Sequence, residues 1–114
     1  MIIKHNVQNH IDVVALRGQL TMASAAEARA GLQDIIEQGG NKLVIDFGEV
    51  DFVDSSGLSV LVSAYKVIDR KGGRVVLSNL RDNVQALFAL TRLNEAFQVF
   101  ASTQSALDHL GEGD

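Results

Sequence analysis

The alternation of apolar and polar residues near the start of the chain predicts a β-hairpin. Two β-rich runs, Ile2 to Val7 and Ile11 to Leu16, are separated only by Gln8-Asn9-His10. The sequence Gly18-Gln19-Leu20-Thr21 then breaks the pattern. We therefore expect the second strand to end before this glycine.

A helical pattern follows the break. Thr21 or Ser24 can cap its start, because a hydroxyl oxygen accepts a hydrogen bond from an unpaired helix N–H group. Gly39-Gly40 marks its end. The apolar residues of this pattern lie on one side of the predicted helix and are Ala25, Ala28, Leu32, Ile35 and Ile36.

The centre of the chain, from Lys42 to Lys71, combines a buried strand with a second helix. Leu43-Val44-Ile45 is a continuous apolar run, typical of a strand covered on both faces, and an acidic loop follows it. The tetrad Asp54-Ser55-Ser56-Gly57 closes this loop. The helix after it has a core face of Leu58, Leu61, Val62, Tyr65 and Ile68. Ser55 is therefore expected in the first turn, where unpaired N–H groups and the positive end of the helix dipole favour a phosphate.

A second apolar stripe lies beside this core face. It consists of Val60, Ala64 and Val67. Apolar residues on both sides of a helix exceed what one core contact needs, so the stripe indicates either a partner-binding face or cover by neighbouring helices.

The last third of the chain continues the alternation of strands and helices. Gly72-Gly73 ends the central helix, and the sequence ends in a predicted frayed tail at residues 111–114. The elements between them are a buried strand at Val75 to Leu77, a short helix at Val84 to Phe88, a strand at Phe97 to Phe100 and a helix at Ala106 to Leu110.

The order β-β-α-β-α-β-α-β-α predicts a single α/β domain spanning residues 1–114. The first hairpin alternates polar and apolar residues, whereas the middle strands are apolar throughout. We therefore expect a mixed β-sheet of about five strands with helices mainly on one face.

Composition narrows the range of partners. The 10 Lys and Arg residues against 14 Asp and Glu give a net charge of −4, which disfavours direct binding to nucleic acid or to an anionic membrane surface. The chain has no cysteine, so disulfides and thiolate metal sites are excluded. No apolar stretch approaches the roughly 18 residues of a membrane helix, and the N-terminus does not resemble a signal peptide. These features predict a cytoplasmic protein without membrane insertion.

Ser55 and Ser56 would be the nucleophiles if the chain were a hydrolase. A serine nucleophile needs a base with an orienting partner, and the Gly-x-Ser-x-Gly elbow is missing. His5, His10 and His109 show no metal-ligand spacing, so we interpret them as surface residues. We predict that the protein is not an enzyme and has no catalytic residue, metal or cofactor.

The acidic residues before the serines have two interpretations. They are Asp46, Glu49, Asp51 and Asp54. They could hold Mg²⁺ or accept phosphate as in a receiver-like domain, although Arg17 to Thr21 supplies no further acidic group for such a site. Alternatively, Asp46 and Asp51 cap turns and Asp54 helps to cap the helix.

The sequence Val44 to Leu58 contains the pentapeptide Asp54-Ser55-Ser56-Gly57-Leu58 directly after the central strand. This run resembles the signature of STAS domains, specifically bacterial anti-sigma factor antagonists. Supporting sequences extend the resemblance over nearly the whole chain and are Gly18-Gln19-Leu20, Lys71-Gly72-Gly73 and Leu87 to Leu93. The resemblance implies a STAS-like fold in which Ser55 accepts a phosphate and Ser56 is its neighbour.

The resemblance also implies a role in transcription regulation by partner switching. The unphosphorylated form would bind an anti-sigma factor that is also a serine kinase, and a sigma factor would be released. Phosphorylation would end the interaction, and a serine phosphatase would reset it. The expected partner-binding residues are Asp54, Ser56, Gly57, Thr21, Val60, Ala64 and Val67. Many relatives carry an acidic residue where this chain has Thr21, so the difference in charge on the expected partner-binding loop leaves the identity of the partner open.

STAS domains also serve as accessory subunits of transporters or of signalling complexes, without a phosphorylation switch. The hydroxyl group directly after Asp54 favours the switch, because accessory versions often need none. The resemblance therefore leaves two functions open, the phosphorylated antagonist and the unphosphorylated accessory subunit.

Overall fold

A computed structural model of the chain describes residues 1–112. Its strands and helices follow the predicted order, with one additional short helix before the last strand. In chain order they are β1 (Ile2–Gln8), β2 (Ile11–Leu20), α1 (Ala25–Gln38), β3 (Lys42–Val53), α2 (Ser55–Arg70), β4 (Arg74–Ser78), α3 (Asp82–Leu90), α4 (Leu93–Ala96), β5 (Gln98–Phe100) and α5 (Thr103–Glu112).

The five strands form one mixed sheet in the order β1-β2-β3-β4-β5. β1 and β2 are antiparallel, and the other neighbouring pairs are parallel. The predicted hairpin is confirmed, and its turn consists of Asn9 and His10, whose φ angles are 53° and 66°. Two consecutive residues with positive φ are typical of the tight turn that matches the right-handed twist of a hairpin.

β2 and β3 are both longer than the apolar pattern predicts. β2 continues through Gly18, which has a φ of 115°, and ends at Leu20. β3 includes most of the predicted acidic loop and ends at Val53. The two extensions pair with each other, since Gln19 lies opposite Phe52 and Leu20 opposite Val53. Pairing between strands satisfies their backbone groups even where the side chains are polar, and a sequence pattern does not show this.

Helices cover the two faces of the sheet unequally, as predicted. The main core lies between the sheet and α1, α2 and α3, with Phe47 of β3 packed edge-to-face on Phe88 of α3 at a centroid distance of 6.4 Å. A smaller core lies under α5 on the opposite face, where Val44 and Val76 meet Leu110. Most helices therefore pack on one face and α5 on the other.

The burial of α2 corrects the predicted partner stripe. Val60 is 1% exposed and Ala64 is 2% exposed, and Val67 packs against the main core as a partly buried residue. The prediction that these three residues form a partner-binding face is therefore wrong. α2 packs on both α1 and the sheet, so two sides of the helix are covered. Tyr65, predicted in the core face, is instead 38% exposed and has edge contact with Phe97.

The last helix extends into the predicted tail. α5 includes Gly111 and ends at Glu112, while residues 113–114 lie outside the described part of the chain. Among residues 1–112, none of the helices has both the length and the apolar character that crossing a membrane requires.

Candidate functional site

Asp54 connects the start of α2 to the end of β2 and the loop after it. Its Oδ1 accepts a hydrogen bond from the Gly57 N–H at 2.9 Å, which caps the helix. Its Oδ2 accepts a hydrogen bond from the Met22 N–H at 3.0 Å. The Asp54 N–H itself donates to the Leu20 carbonyl at 3.2 Å. Asp54 therefore fixes the start of α2, the end of β2 and the loop after β2 relative to one another.

These hydrogen bonds lower the pKa of Asp54 below its ordinary value. The Gly57 N–H is the largest cause, partial burial opposes it, and the N–H groups of Met22 and Ser56 add to the lowering. Donors directed at a carboxylate favour its charged form, so Asp54 is an anion at neutral pH. The predicted helix-capping role of Asp54 is confirmed.

Ser55 is the first residue of α2 and is exposed, whereas Ser56 is half-buried and Gly57 is buried. The carbonyl oxygen of Ser55 accepts a hydrogen bond from the Ser59 hydroxyl at 3.1 Å, so the first turn is closed by a side chain as well. Ser55 is thus an exposed residue in a helix start that Asp54 caps, where the dipole is positive.

Gly57 lies where α2 comes closest to β2. A Cβ atom at this position would collide with the carbonyl oxygen of Leu20 and with its Cγ. The φ of Gly57 is not positive, so lack of space and not backbone conformation excludes a side chain. This close approach lets the Asp54 carboxylate reach the N–H of Met22.

The loop between β2 and α1 forms the other side of the site. Ser24 occupies the position before α1, but its hydroxyl does not cap that helix. Instead its Oγ donates to the Gln19 carbonyl at 2.7 Å and accepts a hydrogen bond from the Thr21 N–H at 3.1 Å. The hydroxyl of Ser24 therefore stabilises the loop from within, and the carboxylate of Asp54 binds the loop to the start of α2.

The structure thus brings together five of the predicted site residues and separates the other three. Thr21 lies on the loop that Asp54 holds beside α2, and the rest of this group begins the helix. The residues that come together are Thr21, Asp54, Ser55, Ser56 and Gly57, whereas Val60, Ala64 and Val67 belong to the core.

Sequence reasoning missed two exposed apolar residues near this group. Met22 is 79% exposed on the loop that Asp54 holds. Phe52 is 49% exposed near the end of β3, where it lines a groove of about 190 Å³ with Val84 and Leu87 of α3. A large apolar residue inside a polar segment is the feature that could have indicated them.

The acidic residues before Ser55 bind different partners and do not form one cluster. Asp46 accepts hydrogen bonds from the Gly48 N–H at 2.8 Å and from the Asn79 side chain at 3.0 Å. Glu49 pairs with Arg17 at 3.2 Å on the surface. Across residues 1–112, no three His, Cys, Asp or Glu side chains are grouped as a metal site would require.

The histidines lie away from Ser55. His5 and His10 belong to the hairpin near the start of β2, whereas α2 begins beside the end of that strand. His109 lies on α5, where its ring is 5.0 Å from that of Phe100. The prediction of surface histidines holds for His5 and His10, while His109 is half-buried.

Comparison with known proteins gives one family match and several similar structures. A family model described as the STAS domain matches residues 3–106 of the chain. The anti-sigma-B factor antagonist of Bacillus subtilis is 32% identical over 101 residues, which cover 88% of this chain and 92% of that protein.

Two solved structures have similar folds at low sequence identity. An anti-sigma factor antagonist from Mycobacterium paratuberculosis has a TM-score of 0.87 at 21% identity, over 95% of this chain and 92% of that one. The Bacillus cell fate determinant SpoIIAA in its phosphorylated form has a TM-score of 0.73 at 22% identity, over 96% and 99% of the two chains. These similarities support the α/β fold described above.

Proposed function

This chain belongs to the STAS domain family, with relatives named anti-sigma factor antagonists, and we propose that it acts as such an antagonist through a phosphorylation switch at Ser55. The unphosphorylated form binds an anti-sigma factor that is also a serine kinase, so that a sigma factor is released. Phosphorylation of Ser55 ends the complex, and a serine phosphatase restores it. ATP and its metal ion belong to the kinase, so this chain takes a regulatory, non-enzymatic part in the cytoplasm.

The observation that carries this proposal is the placement of Ser55. Its hydroxyl is exposed at the first residue of α2, while Asp54 and Gly57 on either side of the two serines are locked to β2. A kinase must reach the hydroxyl without unfolding its substrate. Ser55 meets this requirement because it is exposed at the start of a helix that Asp54 holds in place. Ser56 is half-buried, which supports Ser55 as the acceptor.

The charges around Ser55 indicate how the switch works. A phosphate adds about −1.5 to −2 charges at neutral pH. No Lys or Arg occurs between Leu43 and Tyr65, so this segment supplies no cation to hold the new group. Helix N–H groups alone would stabilise it by roughly 0.3–1 kcal/mol. Phosphorylation therefore leaves the fold almost unchanged and acts by repulsion and desolvation in the interface.

The surface next to Ser55 has the composition of a binding site. The exposed side chain of Met22 stands on the loop that Asp54 fixes, and Thr21 precedes it. A flexible thioether adapts to an apolar pocket, and a hydrogen-bonded loop loses little entropy on binding. We assign Thr21, Met22, Asp54 and Ser56 to the surface that contacts the anti-sigma factor.

Incubation with the cognate anti-sigma kinase and ATP, followed by mass mapping of the phosphate, tests the proposal. We expect one phosphate on Ser55, none in Ser55→Ala, and normal phosphorylation of Ser63→Ala, on the same helix, as the matched control. Phosphate on Ser56, or equal binding of the kinase by the phosphorylated and free forms, would contradict it. Binding to a transporter subunit without any phosphorylation would favour the accessory function instead.

A further inference from the structure

β1 forms an open edge of the sheet. It is the first strand in the sheet order and pairs only with β2. Six of its seven residues are exposed, and Ile3 is half-buried. Proteins usually protect such edges with charges, proline, bulges or very short strands. β1 is seven residues long and contains one charged residue, Lys4, and no proline.

The hairpin turn determines which backbone groups of β1 remain unpaired. Gln8 and Ile11 close a two-residue turn, so they exchange hydrogen bonds with each other. Because hydrogen-bonded and non-hydrogen-bonded pairs alternate along an antiparallel ladder, the N–H and C=O groups of Ile3, His5 and Val7 point away from β2.

The same three residues share one face of the sheet, since side chains alternate along a strand. Ile3 packs on this face against Gly31 of α1. His5 Nε2 lies 2.7 Å from Asp12 Oδ1, a carboxylate that is itself buried. Val7 is 60% exposed, so the far end of this face has an apolar side chain without cover.

We propose that β1 binds β1 of a second copy of this chain, antiparallel and centred on His5. In this register Ile3 lies opposite Val7 of the second copy, and His5 lies opposite His5. The three outward-facing residues of one strand then meet the three of the other, and each of these pairs exchanges two backbone hydrogen bonds. The result is one continuous sheet across both copies.

A second copy fits this edge because the pairing is self-complementary. A two-fold contact places each surface against itself, and here that covers Val7 with Ile3 at both ends. Lys4 lies opposite the neutral Asn6, so the one charged residue of β1 meets no like charge. Each His5 keeps the 2.7 Å contact with its own Asp12 carboxylate, so the two central histidines retain a polar partner within their own chain.

The proposed dimer is independent of the switch. Asp54 and Gly57, which flank the two serines, contact Leu20 at the end of β2, and none of the residues from Asp54 to Gly57 is part of β1. Loss of the dimer and loss of phosphorylation are therefore separate results, measured by different variants.

Sedimentation of the whole chain at about 0.01 to 1 mM, the range of weak interfaces, tests the dimer. We expect concentration-dependent dimerisation that Val7→Lys weakens at least tenfold, because lysine on an edge strand opposes pairing. Leu90→Lys is the matched control, since Leu90 is 82% exposed on α3, away from β1. A monomer throughout this range, or a dimer that only Leu90→Lys weakens, would overturn the proposal.

A cysteine cross-link tests the register. The chain has no cysteine, so the double variant Lys4→Cys with Asn6→Cys introduces the only thiols. In the proposed pairing these positions are directly opposite in a non-hydrogen-bonded pair, whose Cα atoms lie about 4.5 Å apart, within the range that a disulfide spans. Oxidation should give a covalent dimer, whereas Lys4→Cys with Gln8→Cys, which are not opposite, should give much less. Equal yields from the two variants would refute this register.

Discussion

Gly57 packs directly against the main-chain carbonyl of Leu20, with no room between them for a methyl group. The two residues are far apart in sequence and join the first turn of α2 to the last residue of β2. Their contact sets the distance over which Asp54 reaches the Met22 N–H. The glycine after the two serines therefore allows α2 to lie close enough to β2 for Asp54 to bind the loop that contains Met22.

Replacement of Gly57 by alanine should destabilise the fold by about 1–3 kcal/mol, because an added side chain forces α2 away from β2. Urea unfolding measures this loss. Gly111→Ala is the control, since Gly111 lies in α5 and a Cβ there meets open space. Equal stability of Gly57→Ala and the native chain would show that the contact is not tight.

Replacement of Asp54 by asparagine should lower stability in a pH-dependent way. The pKa of folded Asp54 is lowered, so its ionised form stabilises the fold above the unfolded value of about 3.9. That contribution is lost as the pH falls through the lowered folded pKa. Unfolding free energies between about pH 6 and pH 2.5 should therefore converge for the two chains at low pH. A difference in unfolding free energy that stays the same at every pH would show that the charge of Asp54 does not stabilise the fold.

Charge at position 55 should control partner affinity and leave stability unchanged. Ser55→Ala should bind the anti-sigma kinase normally, whereas Ser55→Asp should bind at least about tenfold more weakly, or about 1.4 kcal/mol. Calorimetric titration gives the affinities, and thermal unfolding gives the stabilities. A large fall in the thermal midpoint of Ser55→Asp would show that the charge acts on the fold instead.

Met22→Glu should weaken kinase binding at least about tenfold, since a carboxylate replaces an apolar contact beside the anionic Asp54. Leu90→Glu is the matched control, because Leu90 is 82% exposed and Met22 is 79% exposed. Both variants should unfold at nearly the native midpoint. If Leu90→Glu loses more affinity than Met22→Glu, the binding surface lies on α3.

Val60→Ala should destabilise the chain by about 2 kcal/mol, because it removes two methyl-sized groups from a side chain that is 1% exposed. Lys66→Ala on the same helix is the control, since Lys66 is exposed. Urea unfolding compares the two. Unchanged stability of Val60→Ala together with lost partner binding would restore the stripe as a partner face.

The sequence alone determined the order of the strands and helices, apart from the short helix α4, and the place of Ser55 at the start of α2. These features depend on neighbours in the chain. Apolar periodicity distinguishes strand from helix, and capping residues and glycine pairs mark where helices begin and end. The STAS signature from Val44 to Leu58 is equally local, and for this reason the family could be identified before the structure.

The tertiary structure decided which surfaces are free and which segments meet. Periodicity shows that Val60 and Ala64 are apolar, but only the packing of α1 on α2 shows that they are covered. The hydrogen bond from Met22 to Asp54 crosses 32 positions of sequence, and no local pattern specifies it. Burial and long-range contacts depend on how elements assemble, because one helix face can be covered by the sheet, by another helix or by a partner.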